Sequence, residues 1–393
     1  MNNTASRRKY MVLGIYLMMC MNAICMSTQG TLLTDYINHY HLVSSSQGLM
    51  KSFETAGNII ALVLVGLLLG RLHKYWILMI SACSVPVIYL VLGGQPVFGV
   101  LLALFLLYGI VFGFIDTLAS SVMVDLFPEN SARYMNYLHG VYGLGGLSGP
   151  FLLQALKNAG WSWNRLLTFC GVLALIAGAV YCWAASMMLR GRREERPSAA
   201  KKLHAVDYVN YFKSKKKCLL EACAILYGAH QSCLTVWVVR YVSEYLHAPR
   251  WGAMTLAVFW GGMAVSRLLF SRMHIRRTAL IFWGYIGTGL LTLLGILLGN
   301  GFIMVVCVAL AGFSEGATLP MTLDLACSWE PENTSFGSTM LLYGHNLGII
   351  ISPVLTAFLI SHFGITCGML VAVITALLAA VFARGLMKYD SKA

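Results

Sequence analysis

The chain has 393 residues, of which 58% are apolar and only 11% charged. A soluble domain carries about a quarter charged residues, so the composition excludes a water-soluble fold, and 38 Gly beside only nine Pro excludes a collagen-like or Pro-rich disordered chain. The balance of 28 basic against 15 acidic residues gives +13, which here reads as basic loops on one side of a membrane rather than as a nucleic-acid footprint.

A membrane helix needs about 20 mostly apolar residues, and twelve stretches qualify. The first six run roughly over 10–33, 47–70, 75–93, 97–125, 133–157 and 166–189. After a polar, basic segment, the second six run roughly over 218–242, 251–271, 277–299, 301–326, 334–361 and 364–386. The predicted fold class is an all-α membrane protein with twelve transmembrane helices. An N-terminal six-helix bundle is expected over 1–189, a cytoplasmic basic linker over 190–217 and a C-terminal six-helix bundle over 218–393. The run from Tyr10 to Leu33 is too long for a signal-peptide core and is read as the first span.

Orientation follows from Lys and Arg. With the N-terminus inside, the cytoplasmic side collects Arg7, Arg8, Lys9, Arg71, Lys74 and Arg133, then ten residues from Arg190 to Lys217, then Arg272, Arg276, Arg277, Arg384, Lys388 and Lys392. Twenty-two of the 28 basic residues thus lie on one side. Both termini are expected in the cytoplasm, with the protein in the plasma (inner) membrane and a secondary attraction for anionic lipid headgroups. The eleven Cys are scattered, show no Cys-x-x-Cys, and read as small apolar packing residues.

The halves repeat. Residues 113–130 read GFIDTLASSVMVDLFPEN and residues 312–333 read GFSEGATLPMTLDLACSWEPEN. Gly113, Phe114, Asp116 and Asp125 match Gly312, Phe313, Glu315 and Asp324 at a constant offset of 199, and the Pro-Glu-Asn runs match with four residues inserted. Gly145 and Pro150 likewise match Gly348 and Pro353. Such a repeat predicts two pseudo-symmetric bundles related by an axis along the membrane normal.

On these features the chain resembles the major facilitator superfamily. The family's loop marker after span two is degenerate here: Gly66 and Arg71 remain, Gly70 stands at the Asp position, and His73–Lys74 replaces the Gly-Arg part. In span four, Gly109, Gly113, Asp116 and Thr117 resemble the branch of fucose permeases and sodium-dependent glucose transporter relatives. That resemblance implies alternating access, a sugar-like solute and proton coupling through an acidic residue in span four.

Charged groups inside hydrocarbon cost at least ~2.5–3.5 kcal/mol each and mark partners or water-filled paths. Asp116 is the first candidate for ion coupling, because a desolvated carboxyl holds its proton until water or substrate arrives. Glu315 occupies the corresponding place in the second half. Glu54 has Lys51 one turn before it as a pairing partner, and Asp35 lies near the outer end of span one. Polar candidates for solute binding are Asn22, Asn58, His230, Gln231, Tyr343, His345 and Asn346. Trp237 and Tyr241 share a face of span seven by their spacing of four, and Trp260, Tyr36 and Tyr142 are candidate companions. Trp76, Trp161 and Trp163 read as interfacial. The Gly run around Gly143–Gly149 in span five, with Pro150, reads as close helix packing and a bend.

No nucleotide-binding phosphate loop and no metal-ligand spacing occurs, so neither cofactor nor metal is expected, nor an enzyme. The sequence therefore predicts a secondary transporter of a small polar organic solute, a sugar being favoured, driven by a proton or sodium gradient. The expected partners are the solute, the coupling ion and membrane lipid, without nucleic acid, and a monomer suffices. Proton-coupled export of drugs or metabolites is the alternative reading. A non-transporting sensor or an intramembrane enzyme fits less well.

Overall fold

The computed structural model describes residues 2–42, 49–68, 72–190, 205–273 and 275–390. Gly70 and Arg71 of the degenerate loop, the linker residues Arg192, Arg193, Arg196, Lys201 and Lys202, and Lys392 lie outside the described residues. The described residues are largely helical: α1 (Asn2–Thr31), α2 (Leu33–Tyr40), α3 (Leu49–Leu68), α4 (Lys74–Gly93), α5 (Phe98–Leu126), α6 (Ser131–Asn158), α7 (Trp163–Arg190), α8 (Ala205–Phe212) and α9 (Lys215–Arg240). A π turn (Tyr241–Tyr245) extends α9, and α10 (Pro249–Phe270), α11 (Arg277–Leu298), α12 (Gly301–Glu315), α13 (Thr318–Ser328), α14 (Thr334–Phe363) and α15 (Ile365–Leu386) follow.

Among the described residues, ten helices or helix pairs are long and apolar enough to cross a bilayer. The predicted spans over 47–70 and 133–157 form α3 and α6 but are not among the ten. The sequence explains this for α6, which is rich in Gly and polar residues. Large apolar side chains lie exposed on many helices, Trp283, Leu297 and Val381 among them. Such surface is tolerable only against lipid, and the chain is a multi-pass integral membrane protein.

The described residues fall into two compact units, one drawn from Met1–Leu126 and Val141–Leu203, the other from Phe127–Gly140 and His204–Ala393. The first fourteen residues from Phe127 thus pack with the second unit. Within unit 1, α3 packs on α5, and α7 packs on α4 and α1; within unit 2, α10 packs on α12, and α15 on α11 and α9.

Close approaches fix the register of the repeat. Gly109 of α5 leaves no room for a Cβ against the Glu54 carbonyl of α3, and Gly113 is pressed against Asn58 and Ala61. In unit 2, Gly312 of α12 meets the Phe259 carbonyl of α10, and Gly316 meets Met263 and Ser266. The cation at the start of the next helix repeats too. Lys74 of α4 donates to Ser121 Oγ at 2.8 Å and pairs with Asp125. Arg277 of α11 donates to Asp324 at 2.7 Å and to Ser328 Oγ at 3.3 Å.

The paired positions 74 and 277, 109 and 312, 113 and 316, 121 and 324, and 125 and 328 are all 203 apart. The sequence match at 199 is therefore one helical turn out of register, and the Pro-Glu-Asn runs align with no insertion. Four residues return a helix almost to the same face, so the slipped match still pairs apolar with apolar. In the corrected register Asp116 corresponds to Leu319, and Glu315 to Phe112. Glu315 is not the repeat partner of Asp116.

Gly312→Val is expected to destabilise the protein by about 1–3 kcal/mol, because the Phe259 backbone opposite it cannot retreat. Gly261→Ala, where a Cβ meets open space, should be neutral or better. Thermal unfolding of the two purified variants in detergent checks the difference.

Candidate functional site

The sequence predicts one span over 301–326, but the structure breaks it between α12 and α13, at Gly316 and Ala317. Pro320 is the cause. It has no N–H to give the carbonyl four residues earlier, and its ring pushes against that carbonyl, which belongs to Gly316. In unit 1 the corresponding residue is Thr117, and α5 runs unbroken from Phe98 to Leu126.

A carbonyl released inside a buried span needs another donor. Arg267 of α10 supplies it: its Nε donates to the Gly316 carbonyl at 2.8 Å and a terminal nitrogen donates to the His139 carbonyl at 3.1 Å. Arg267 is 4% exposed, and no acidic side chain pairs with it among the described residues. Tyr227 lies beside it, and His345 and His139 face the same guanidinium.

Glu315 is the last residue of α12, directly before the break, and is fully buried. Its Oε2 lies 3.2 Å from Nε2 of His230, also fully buried, on α9. The contact is out of line for a hydrogen bond, and Glu315 Oε1 has no partner among the described residues. The other ring nitrogen of His230, Nδ1, lies 2.7 Å from the Ala372 carbonyl of α15. A carbonyl only accepts, so Nδ1 carries a hydrogen. Nε2 then presents either a second N–H or a lone pair to the carboxyl group. A lone pair facing a bare carboxylate is repulsive. A single proton held between the two groups would make the pair neutral, as imidazolium with carboxylate or as imidazole with carboxylic acid.

The other predicted ion-coupling residues are placed differently. Glu54 is buried on α3, where Lys51 donates to it at 2.7 Å and Gln29 of α1 donates to its second oxygen. Asp35 lies on α2 rather than on α1 and pairs with Lys157 of α6 at 2.5 Å. Asp116 is half-buried on α5.

Of the predicted solute-binding residues, Gln231 donates to the Tyr227 hydroxyl at 3.2 Å, and the His345 ring lies tilted against the Tyr227 ring at 5.4 Å, with no partner for its Nε2 among the described residues. These join the Glu315–His230 neighbourhood. Asn346 and Asn22 instead donate to carbonyls four residues back in their own helices, at 2.8 Å each. Asn58 packs against Gly113 in unit 1. Tyr241 is buried and stacked on Tyr245, while Trp237, Trp260 and Tyr343 are half-buried. Tyr36 is packed into the interior against Phe105 and Trp163, and Tyr142 donates to the Met26 sulfur. Trp163 is thus half-buried, whereas Trp76 and Trp161 are exposed.

Sequence reasoning missed Arg267, Tyr227 and Gln29. Arg267 does carry a sequence signal, as a basic residue inside the apolar run AVSRLLF.

Residues 15–298 and 222–393 match the family model described as Major Facilitator Superfamily. The MFS-type transporter pynF of Aspergillus niger is 27% identical over 151 residues, which are 38% of this chain and about a third (35%) of that relative's length. Among solved structures, the transporter FucP in its outward conformation superposes with a TM-score of 0.74 at 15% identity, covering 97% of this chain and 99% of that one. A variant of the E. coli fucose:proton symporter FucP gives 0.71 at 14% identity over 96% and 98%. The human organic anion transporter MFSD10 (TETRAN) gives 0.74 at 14% identity over 96% and 99%. At these identities the structural matches establish the fold alone.

Arg267→Met is expected to cost about 1–3 kcal/mol, the penalty for leaving the Gly316 carbonyl unpaired. Adding Pro320→Ala returns a backbone N–H to that carbonyl, so the double variant should regain part of the loss while Pro320→Ala alone stays near neutral. Thermal unfolding of the three variants tests this coupling. Additive effects would show that the carbonyl is not what Arg267 serves.

Proposed function

We propose proton-coupled solute transport for this chain, which belongs to the major facilitator superfamily. It is a carrier that moves a small polar organic molecule, a hydroxylated, sugar-like solute being favoured. The twelve predicted spans form two six-helix bundles, and the site is exposed alternately to the two sides of the membrane. The observation that carries the choice of ion is the arrangement of His230, whose Nδ1–H is committed to Ala372 while its Nε2 faces Glu315. Sodium would need several oxygen ligands around it, whereas this site offers one carboxyl group and an imidazole.

The cycle follows from charge. With its proton, the Glu315–His230 pair is neutral and tolerable in a dry interior. Without it, the pair carries a net negative charge that burial penalises by several kcal/mol. The proton therefore leaves only when water reaches the pair, and it is regained before the site closes again. The polar groups around the pair, Tyr227, Gln231 and His345, are proposed to contact the solute. Asp116 is proposed as an accessory protonation site, whereas Glu54 and Asp35 are already held by Lys51 and Lys157. The fucose:proton symport named for one structural neighbour supports a sugar as the first solute class to try.

Proteoliposomes loaded with a pH-sensitive dye, challenged with L-fucose, D-glucose and D-galactose, provide the test. At least one sugar should drive proton movement with wild-type protein. In Glu315→Gln that movement should fall about tenfold or more, while exchange of the labelled sugar persists and becomes flat with pH. Wild-type proton flux in Glu315→Gln would overturn the assignment of the proton to this pair. Silence with every sugar but flux with lipophilic cations would favour the export reading.

A further inference from the structure

Helix α8 precedes the seventh predicted span and has two unlike sides. On one, Tyr208 and Tyr211 meet the ring of Phe336 edge-on at 5.3 and 5.6 Å. The Tyr211 hydroxyl also donates to Glu221 Oε1 of α9 at 2.8 Å. Burial, then the adjacent carboxylate, hold the Tyr211 hydroxyl far above the usual phenol range, so it remains a donor. This side is fixed to unit 2. On the other, Val206, Val209 and Phe212 recur every third residue, cover an arc of about 120°, and are 57%, 59% and 54% exposed.

Charge accompanies the apolar stripe. Lys213 and Lys215 are exposed, and Lys216 lies over the Trp329 ring at 4.7 Å. No acidic side chain pairs with any of these three among the described residues, whereas Lys217 is committed to Glu330. The candidate span begins at Lys215, three residues after Phe212, which sets the stripe at the depth where hydrocarbon gives way to headgroups. An amphipathic helix at that depth buries its apolar face among acyl chains and offers its cations to phosphate. A neutral, zwitterionic surface would satisfy Val206, Val209 and Phe212 but not the lysines.

We infer that α8 and the lysines that follow it form a binding surface for anionic phospholipid, with the stripe 206–209–212 seated in the acyl region and Lys213, Lys215 and Lys216 on the headgroup phosphates. The surface is separate from the Glu315–His230 pair and independent of which solute is carried.

The test uses the full chain in phosphatidylcholine nanodiscs doped with equal amounts of photoactivatable phosphatidylglycerol or photoactivatable phosphatidylcholine, with labelled peptides mapped by mass spectrometry. Phosphatidylglycerol should label 205–217 about tenfold or more above phosphatidylcholine. K213Q/K215Q/K216Q should bring the two lipids level, and V206S/V209S/F212S should lower labelling by both. Neither set replaces Tyr208 or Tyr211; Phe212 does meet the Tyr211 ring edge-on at 5.5 Å, so V206S/V209S, which leaves that contact in place, should also lower labelling by both lipids. Equal labelling of the wild type by the two lipids would overturn the proposal. So would a wild-type stripe that takes no lipid but crosslinks, through Phe212→Cys, to a second copy of the chain.

Discussion

A peptide carbonyl inside a bilayer-spanning helix has nowhere to turn when its helical donor is removed, because no water is present to replace it. Pro320 creates that situation at Gly316, and the surrounding sequence answers it. Arg267 lies one helix away with a guanidinium able to donate to two carbonyls at once. Gly316 itself has no side chain, which lets α10 come close enough for that reach. Glu315 is left at the end of α12, where its carboxyl meets His230 instead of continuing into a regular turn. One missing N–H thus accounts for the placement of a buried arginine, a buried acid and a buried imidazole in the same part of unit 2.

The repeat makes the comparison with unit 1 informative. Thr117 stands where unit 2 has Pro320, α5 is continuous, and Phe112 stands where unit 2 has Glu315; between α3 and α10, where the contacts at Glu54 and Phe259 are 205 apart, Leu62 stands where unit 2 has Arg267. Duplication preserved what the scaffold needs: the close glycines, and a cation at the start of α4 and α11 gripping two side chains one turn apart. Even there the chemistry has drifted, since serine and aspartate have exchanged places between the two grips. Elsewhere the charges diverged freely. A scaffold contact constrains both partners sterically, whereas a proton site needs to exist only once.

What the sequence made legible follows the same division. The spans were visible because hydrocarbon thickness dictates length and composition, and the repeat because glycine contacts admit no substitute. The register slipped by a turn, since helical periodicity makes an offset of four nearly silent. Polar residues within spans are hard to read for a definite reason: Asn22 and Asn346 each donate to a carbonyl of their own helix, a bond that leaves no trace in spacing. Tyr241 shows the parallel limit for aromatics. A spacing of four from Trp237 shows a shared face without showing that the tyrosine turns into protein and stacks on Tyr245. Asp35 misled because α1 ends at Thr31 and the acid belongs to a separate short helix.

A break beside a protonatable pair also supplies a physical route from proton to motion. In a continuous helix, displacing Glu315 would cost several backbone hydrogen bonds in sequence. At the Gly316–Ala317 break the helical bond to the Gly316 carbonyl is already absent, and Arg267 donates to that carbonyl instead. The pair itself is anchored unevenly, with His230 fixed through Nδ1 to α15 and the Glu315 carboxyl group, among the described residues, in contact with His230 but hydrogen-bonded to none. In the proposed cycle, loss of the proton turns the attraction that holds the carboxyl group at Nε2 into repulsion, and the end of α12 is the part proposed to yield, reorienting α13 beyond the break while α9 and α15 stay joined. The energy proposed to drive that movement is the burial penalty of the uncompensated charge, and it vanishes once a proton returns.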